Sequence, residues 1–198
     1  MRSRLAALGR ILNRITASVV ILQIVAMLTL TLVESLRKKK RKTRRFPVVA
    51  PSPVTVEDDE VTVYTYGEHL FDAMLQAIDA AEDHVYFETY IWKADATGRA
   101  FVDALNRAAA RGVRVHAIWD GFANLVVPRP FYRQLSDTIA TLHYPALPVP
   151  WRPRSWGRDH RKLLCVDGAV GFVGGYNIGA LYATGWRDTH ARIPGPGV

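Results

Sequence analysis

The sequence predicts an α/β layered domain, a mixed sheet flanked by helices, preceded by one transmembrane helix. Three observations predict it: an uncharged apolar run near the start, strand-like and helix-like segments that alternate from residue 61 onward, and a composition of 49% hydrophobic and 22% charged residues that suits a chain with a real core.

The apolar run is Ile15 to Val33, nineteen residues without a charge. As a helix rising about 1.5 Å per residue it reaches roughly 28 Å, close to the hydrocarbon thickness of a bilayer. Gln23 and several Ser and Thr interrupt its apolarity, but Ser and Thr hydroxyls can bond back to the helix backbone. Arg37 to Lys42, Arg44 and Arg45 follow the run, against Arg2, Arg4, Arg10 and Arg14 before it. The heavier basic flank places the C-terminal part on the cytoplasmic side of a single-pass protein. It also offers cations to anionic headgroups. No small-residue cleavage site closes the run, so an uncleaved anchor is expected over residues 1–45.

The net charge of +8 belongs to that segment. Residues 1–45 carry twelve Lys or Arg and one acid, whereas residues 46–198 carry fourteen basic and seventeen acidic side chains. A general nucleic-acid-binding domain shows the opposite distribution, so no nucleic-acid partner is expected. Residues 46–60, with three prolines and then four consecutive acids, read as a semi-extended linker. Residues 61–198 form the catalytic domain.

Within it, Val61–Thr65 alternates as a strand, and Leu70, Phe71, Met74, Leu75, Ile78 and Ala81 recur as one face of a helix over 68–81. His84–Trp92 is strand-like in its β-branched and aromatic content. Thr97 is positioned to cap a second helix, with Phe101, Ala104, Leu105 and Ala108 on its apolar face and Gly112 as its stop. Val113–Trp119 reads as a strand, Asp120-Gly121 as a turn, Pro128 as a helix start and Ala140–Tyr144 as a short strand. A loop rich in Pro, Trp and Arg over 145–158 leads to strands at 162–166 and 169–173, joined at Asp167-Gly168. Cys165 is the sole cysteine, which excludes an intrachain disulfide and reads as a small buried hydrophobe.

The chemistry concentrates between Arg158 and Asn177. His160 and Lys162, two residues apart at a strand entry, can project to one side. A neutral imidazole can attack phosphorus while the ammonium binds a non-bridging oxygen. Gly174 and Gly175 let backbone approach a phosphate, and Asn177 can bond that phosphate or hold the histidine. Such a site handles a phosphate ester with no cofactor and no metal. His69, His84, His116 and His143 are scattered without ligand spacing, and His190 is expected to face away from Asp188. Trp151, Trp156, Arg152, Arg154 and Arg158 fit either a loop at headgroup level or a plain rigid loop.

The spacing His-x-Lys-x4-Asp-x6-Gly-Gly-x-Asn, with FETYIWKADATGRAFVDALNRAAARGVRVHAIWDG, RDHRKLLCVDG, FVGGYNIG and WRDTHARIPGPGV around it, resembles bacterial cardiolipin synthases of the phospholipase D superfamily. The resemblance runs from about residue 61 to the end. It implies a phospholipase D-like fold and His160 as the nucleophile that becomes phosphatidylated, or its acid–base partner. Lys162 and Asn177 would bind phosphate, and Asp188 would be hydrogen-bonded to the catalytic imidazole. Asp167, the motif's aspartate, is counted with the catalytic set but reads as structural or supporting, shaping the site from a turn instead of touching phosphorus. Glu88 is a candidate supporting group, weighed against an outward-facing charge.

The family works with two such motifs, and this sequence has one. Two expectations follow: a fragment of a longer enzyme, or a homodimer in which each chain supplies one histidine. The expected activity is phosphatidyl transfer from phosphatidylglycerol through a phosphohistidine intermediate at the cell membrane. The alternatives are a phosphodiester hydrolase and an inactive membrane-bound partner.

Overall fold

The computed structural model describes residues 2–40, 46–57, 59–147, 151 and 156–195. The chain divides into two compact units, residues 1–44 and 45–198. The first is a single helix, α1 (Arg2–Lys40), whose Asn13–Glu34 stretch is long and apolar enough to cross a membrane. Its interior hydroxyls are accommodated as the sequence anticipates: Thr29 and Thr31 donate to the carbonyls of Val25 and Met27, each at 2.8 Å. The end of the basic collar, residues 41–45, lies outside the described residues.

The second unit is built on one eight-stranded sheet of order β1-β2-β8-β7-β6-β3-β4-β5. In chain order the elements are β1 (Ser52–Val56), β2 (Asp59–Tyr64), α2 (Gly67–Ala80), β3 (His84–Thr89), α3 (Ala96–Ala110), β4 (Arg114–Asp120), α4 (Arg129–Tyr132), β5 (Ala140–Tyr144), β6 (Leu163–Val166), β7 (Val170–Gly174) and β8 (His190–Pro194). A π-helical turn, Leu181–Gly185, stands between β7 and β8. β3, β4 and β5 are parallel, and every other pairing is antiparallel. The predicted mixed α/β layering is therefore the observed fold.

The linker reading of 46–60 is corrected in part. Residues 52–56 are the edge strand β1, and residues 59–64 pair on both sides, with β1 and with β8. Proline at 53 is tolerated because an edge strand leaves one side of its ladder unused. The cap of α3 is also corrected: Asp95, not Thr97, accepts from the Gly98 N–H at 3.0 Å.

The core lies between one face of the sheet and helices α2 and α3. Leu70, Phe71, Met74 and Ile78 of α2 and Phe101, Leu105 and Ala108 of α3 are buried against Val85, Phe87, Val115, Ala117, Leu164 and Phe172. The helix-period and strand-period patterns meet there, as period 3.6 and period 2 require. The opposite sheet face keeps Tyr86, Leu142 and Val173 exposed. Cys165 falls on this face, across from Tyr86, and is half-buried instead of fully buried.

Parallel β3, β4 and β5 end, antiparallel β6 and β8 begin, and β7 ends, all at one edge of the sheet. The loops after β3, β4, β5 and β7 therefore gather there.

Candidate active site

His160 and Lys162 enter this edge just before β6. Lys162 stands two residues before Leu164, so strand alternation turns its stem toward the core side. It is 6% exposed, whereas His160 is exposed. The Lys162 Nζ donates to the His160 carbonyl at 2.7 Å and stands 3.2 Å from Nδ1 and 3.5 Å from Nε2 of the His160 ring. Tyr90, in the loop after β3, forms the floor. Its ring centre lies 4.3 Å from that of His160 and 5.0 Å from the Lys162 Nζ, a cation–π distance. Burial lowers the Lys162 pKa, and the carboxylates of Asp188 and Asp159 oppose the shift.

Asn177 belongs to the same edge but is engaged in building it. Its Oδ1 accepts from the Ile91 N–H at 3.1 Å. Ile178 N–H to Ile91 O at 2.9 Å and Lys93 N–H to Ile178 O at 3.0 Å complete the seam between the loops after β3 and β7. The glycine pair makes room for neighbouring groups of the chain. A Cβ on Gly175 would collide with the Asp188 carboxylate, and one on Gly174 with the Thr189 carbonyl and the His190 ring. Both glycines admit groups from the start of β8.

Asp188 is thereby held over Gly175, with its Oδ1 accepting from the Thr189 N–H at 2.8 Å. No hydrogen bond among the described residues joins it to His160; its charge acts on Lys162 and His190. His190, expected to face away, is 1% exposed with neither ring nitrogen hydrogen-bonded. Burial pushes its pKa down to about 4 against the pull of Asp188, and Lys162 adds to the lowering, so it is a neutral imidazole. Residues two apart in extended chain share a face, so the expectation that His190 turns away from Asp188 ran against the strand period itself.

Asp167 lies at the opposite end of β6 from His160 and is corrected from the catalytic set to a structural clamp. Its carboxylate accepts from the backbone N–H groups of Glu82, Asp83 and His84 at 2.9, 2.9 and 2.8 Å. Those bonds hold a residue with φ of 55° beside Gly168 at 63°, the left-handed pair of a tight turn.

Glu88 is buried beside the site. It forms a carboxyl pair with Asp159, and Arg161 Nη2 stands 2.8 Å from its Oε1 without aligning an N–H bond on it. Burial and the neighbouring Asp159 raise the Glu88 pKa to about 7, with Arg161 opposing. Asp159 also accepts from Arg161 Nε at 3.0 Å, and its own N–H reaches Asp120 Oδ2 at 3.2 Å. The residues flanking His160 are thus anchored to β3 and β4.

Sequence reasoning missed Asp159, Asp120, Tyr90 and Asn124. Asn124 is buried and donates to the carbonyls of Tyr90 at 2.8 Å and Asp120 at 2.6 Å while accepting from the Trp92 N–H at 2.8 Å. Only the Asp120-Gly121 turn signal hinted at this knot. Arg152 and Arg154 lie outside the described residues.

This arrangement joins an exposed imidazole, a buried ammonium and an aromatic floor at the meeting edge of six strands. Residues 74–193 match the model of the family described as cardiolipin synthase, PLD-like domain. The chain is 35% identical over 153 residues to the major cardiolipin synthase ClsA of Bacillus subtilis, covering 73% of this chain and 32% of that protein. It is 34% identical over 161 residues to cardiolipin synthase A of Pseudomonas putida, covering 77% and 33%. It therefore spans about a third of the length of these curated relatives. The fold is similar to that of Nuc, a phospholipase D family member from Salmonella typhimurium, with a TM-score of 0.53 and 20% identity over 70% of this chain and 86% of that one. On the matched domain and the identities to these relatives, the chain belongs to the cardiolipin synthase family of phospholipase D-like proteins.

Proposed function

We propose that this chain carries the nucleophilic half of a phosphatidyltransferase that acts on phosphatidylglycerol. The single observation that carries the reading is the exposed His160 ring with the buried Lys162 ammonium 3.2 Å from it. A phosphate oxyanion competes well with a neutral imidazole for those ammonium protons, because a charged acceptor forms the stronger bond. Once Lys162 turns to phosphate, an imidazole nitrogen is free to attack. A nitrogen–phosphorus bond forms, the phosphorus–oxygen bond to glycerol breaks, and glycerol leaves with a proton from a general acid. The hydroxyl of a second phosphatidylglycerol then displaces the histidine and gives cardiolipin.

The acid is expected from a second motif-bearing half, in a longer chain or a homodimer partner. The apolar stretch of α1 supports a cell-membrane location, and the heavier basic flank supports a single pass with the domain in the cytoplasm. A second reading, hydrolysis, is favoured by the exposure of His160, since water reaches the same phosphorus.

The test uses a nitrophenyl ester of a short-chain phosphatidic acid, whose leaving group departs as an anion and needs no acid. The full chain in detergent should release one equivalent of nitrophenol and gain the phosphatidyl mass on His160. His160→Asn should do neither. Release without modification of His160 overturns the reading.

A further inference from the structure

The loops at the site edge differ in kind from the turns at the other end of the sheet. Phe122, Leu125, Val126, Leu147, Trp151 and Trp156 are between 51% and 81% exposed, and all lie in the loops after β4 and β5. The turns at the far end, 81–83, 111–113, 133–139 and 167–169, expose no large apolar side chain, although Val56 beside the β1–β2 turn at that end is 52% exposed. Exposed apolar surface gathered on one end of a domain marks a contact surface.

This apolar rim is held in place. Asn124 clamps the first loop from inside through its three hydrogen bonds to Tyr90, Asp120 and Trp92. Arg158 stitches the two loops together: its guanidinium lies 5.1 Å from the centre of the Phe122 ring and donates to the Pro145 carbonyl at 2.7 Å. The Gly121 N–H reaches the Tyr144 carbonyl at 2.9 Å. Ordering entropy is thus already spent before any partner arrives.

From this arrangement we infer that the loop edge around His160 docks face-down on an anionic bilayer, with the tip at 122–126 and the side chains of Leu147, Trp151 and Trp156 entering the headgroup layer. Trp at the water–hydrocarbon boundary and Arg beside phosphate are the side chains that such a layer favours. Exposed Arg129 and Arg187 supply cations at the same edge, complementary to acidic headgroups. The inference rests on the lipid reading above and adds the surface by which the site meets its substrate.

The test exploits the placement of tryptophan. The sequence has five, none of them before residue 92, so α1 is silent in tryptophan fluorescence. Trp92 and Trp119 are buried and serve as an internal reference, while Trp151, Trp156 and Trp186 are exposed. The full chain is reconstituted in phosphatidylglycerol vesicles whose acyl chains are brominated, a short-range quencher. At one chain per vesicle, emission should fall by about half relative to unbrominated vesicles. The fall should shrink at least threefold in Trp151→Phe/Trp156→Phe. Leu125→Glu/Val126→Glu, at exposed positions, should also abolish the quenching and slow turnover of vesicle lipid at least tenfold. It should leave adduct formation with the soluble nitrophenyl ester unchanged. Absence of quenching in the unaltered chain overturns the docking. Quenching that falls as chains are crowded on the vesicle, with crosslinks between chains, assigns the surface to a second copy and overturns it as well. Failure of the soluble ester alone sinks the proposed chemistry and leaves the docking standing.

Discussion

Replacing Asp167 separates two roles for the motif's aspartate. Asp167→Ala removes three hydrogen bonds of 2.8–2.9 Å from backbone N–H groups to a carboxylate. Hydrogen bonds to charged groups are worth about 1.5–3 kcal/mol each when the freed donor stays dry. Here the Glu82 and Asp83 donors are at exposed positions, where water replaces the carboxylate, so about 1 kcal/mol each is the better figure. Alanine must also hold φ near 55°, at a cost of about 1 kcal/mol. With about 1.5–3 kcal/mol for the part-buried His84 donor, the total of about 4.5–6 kcal/mol should lower Tm by roughly 9–24 °C for a unit of this size. Burial pushes the Asp167 carboxyl up, but its three backbone donors outweigh that and hold it below the ordinary value of 3.8. A carboxyl with a depressed folded pKa stabilises above its unfolded value, and that contribution vanishes as pH falls through the folded value. The gap in Tm between Asp167 and Asp167→Ala should therefore be widest near pH 7 and narrow below about pH 4, leaving the backbone strain of alanine, which does not titrate. Calorimetry against pH measures it, and adduct formation on His160 at 15 °C measures the chemistry of the folded fraction. An unchanged Tm with adduct formation lost would refute the clamp and return Asp167 to the chemistry.

Three further outcomes are expected. Lys162→Met, which keeps the buried stem and removes the ammonium, should slow adduct formation by about 10²–10³ and leave Tm within a few degrees, read by stopped-flow nitrophenol release and calorimetry. Gly175→Ala forces a Cβ into the Asp188 carboxylate and should cost about 1–3 kcal/mol in urea unfolding while slowing the adduct, whereas Gly112→Ala, whose Cβ meets nothing but whose φ is +91°, should cost only the backbone strain. Glu88, with a folded value of about 7 against an ordinary 4.5, keeps a proton that the unfolded chain loses. Its stabilisation is full below about pH 4.5 and fades as pH rises through about 7, so Glu88→Gln should flatten the fall of Tm across that window.

How far the sequence could be read depended on the range of the interactions. α2, α3, β3 and β4 were legible because their apolar periods are local and their partners lie next in the chain. β2 was legible over Val61–Tyr64, whereas β1 and the first two residues of β2 read as linker. Proline 53 and the acidic run gave that local signal. In the site, His160 and Lys162 were legible as a pair two residues apart, and the structure brings them together. Asp188 was implied by the family resemblance alone, and it lies on Gly175 with no hydrogen bond to the imidazole among the described residues. Glu88 with Asp159, and Asn124 with Tyr90, meet only through the sheet register, which no local pattern encodes.

The pairing of β2 with β8 has a consequence for how the chain is made. β2 is synthesised some 126 residues before the strand that finishes its ladder begins. At about 5–20 residues per second, that delay lasts roughly 6–25 s. During that time α1 is already available to the membrane-insertion machinery, while the β1–β2 ribbon has one unclosed edge. A two-stranded ribbon is marginal alone, and an open edge invites foreign strands. Asp59 and Glu60 at the start of β2 put charge on that edge through the interval. β8 therefore closes a ribbon made well before it, and nascent chains halted before residue 190 should be degraded faster than chains extended past it.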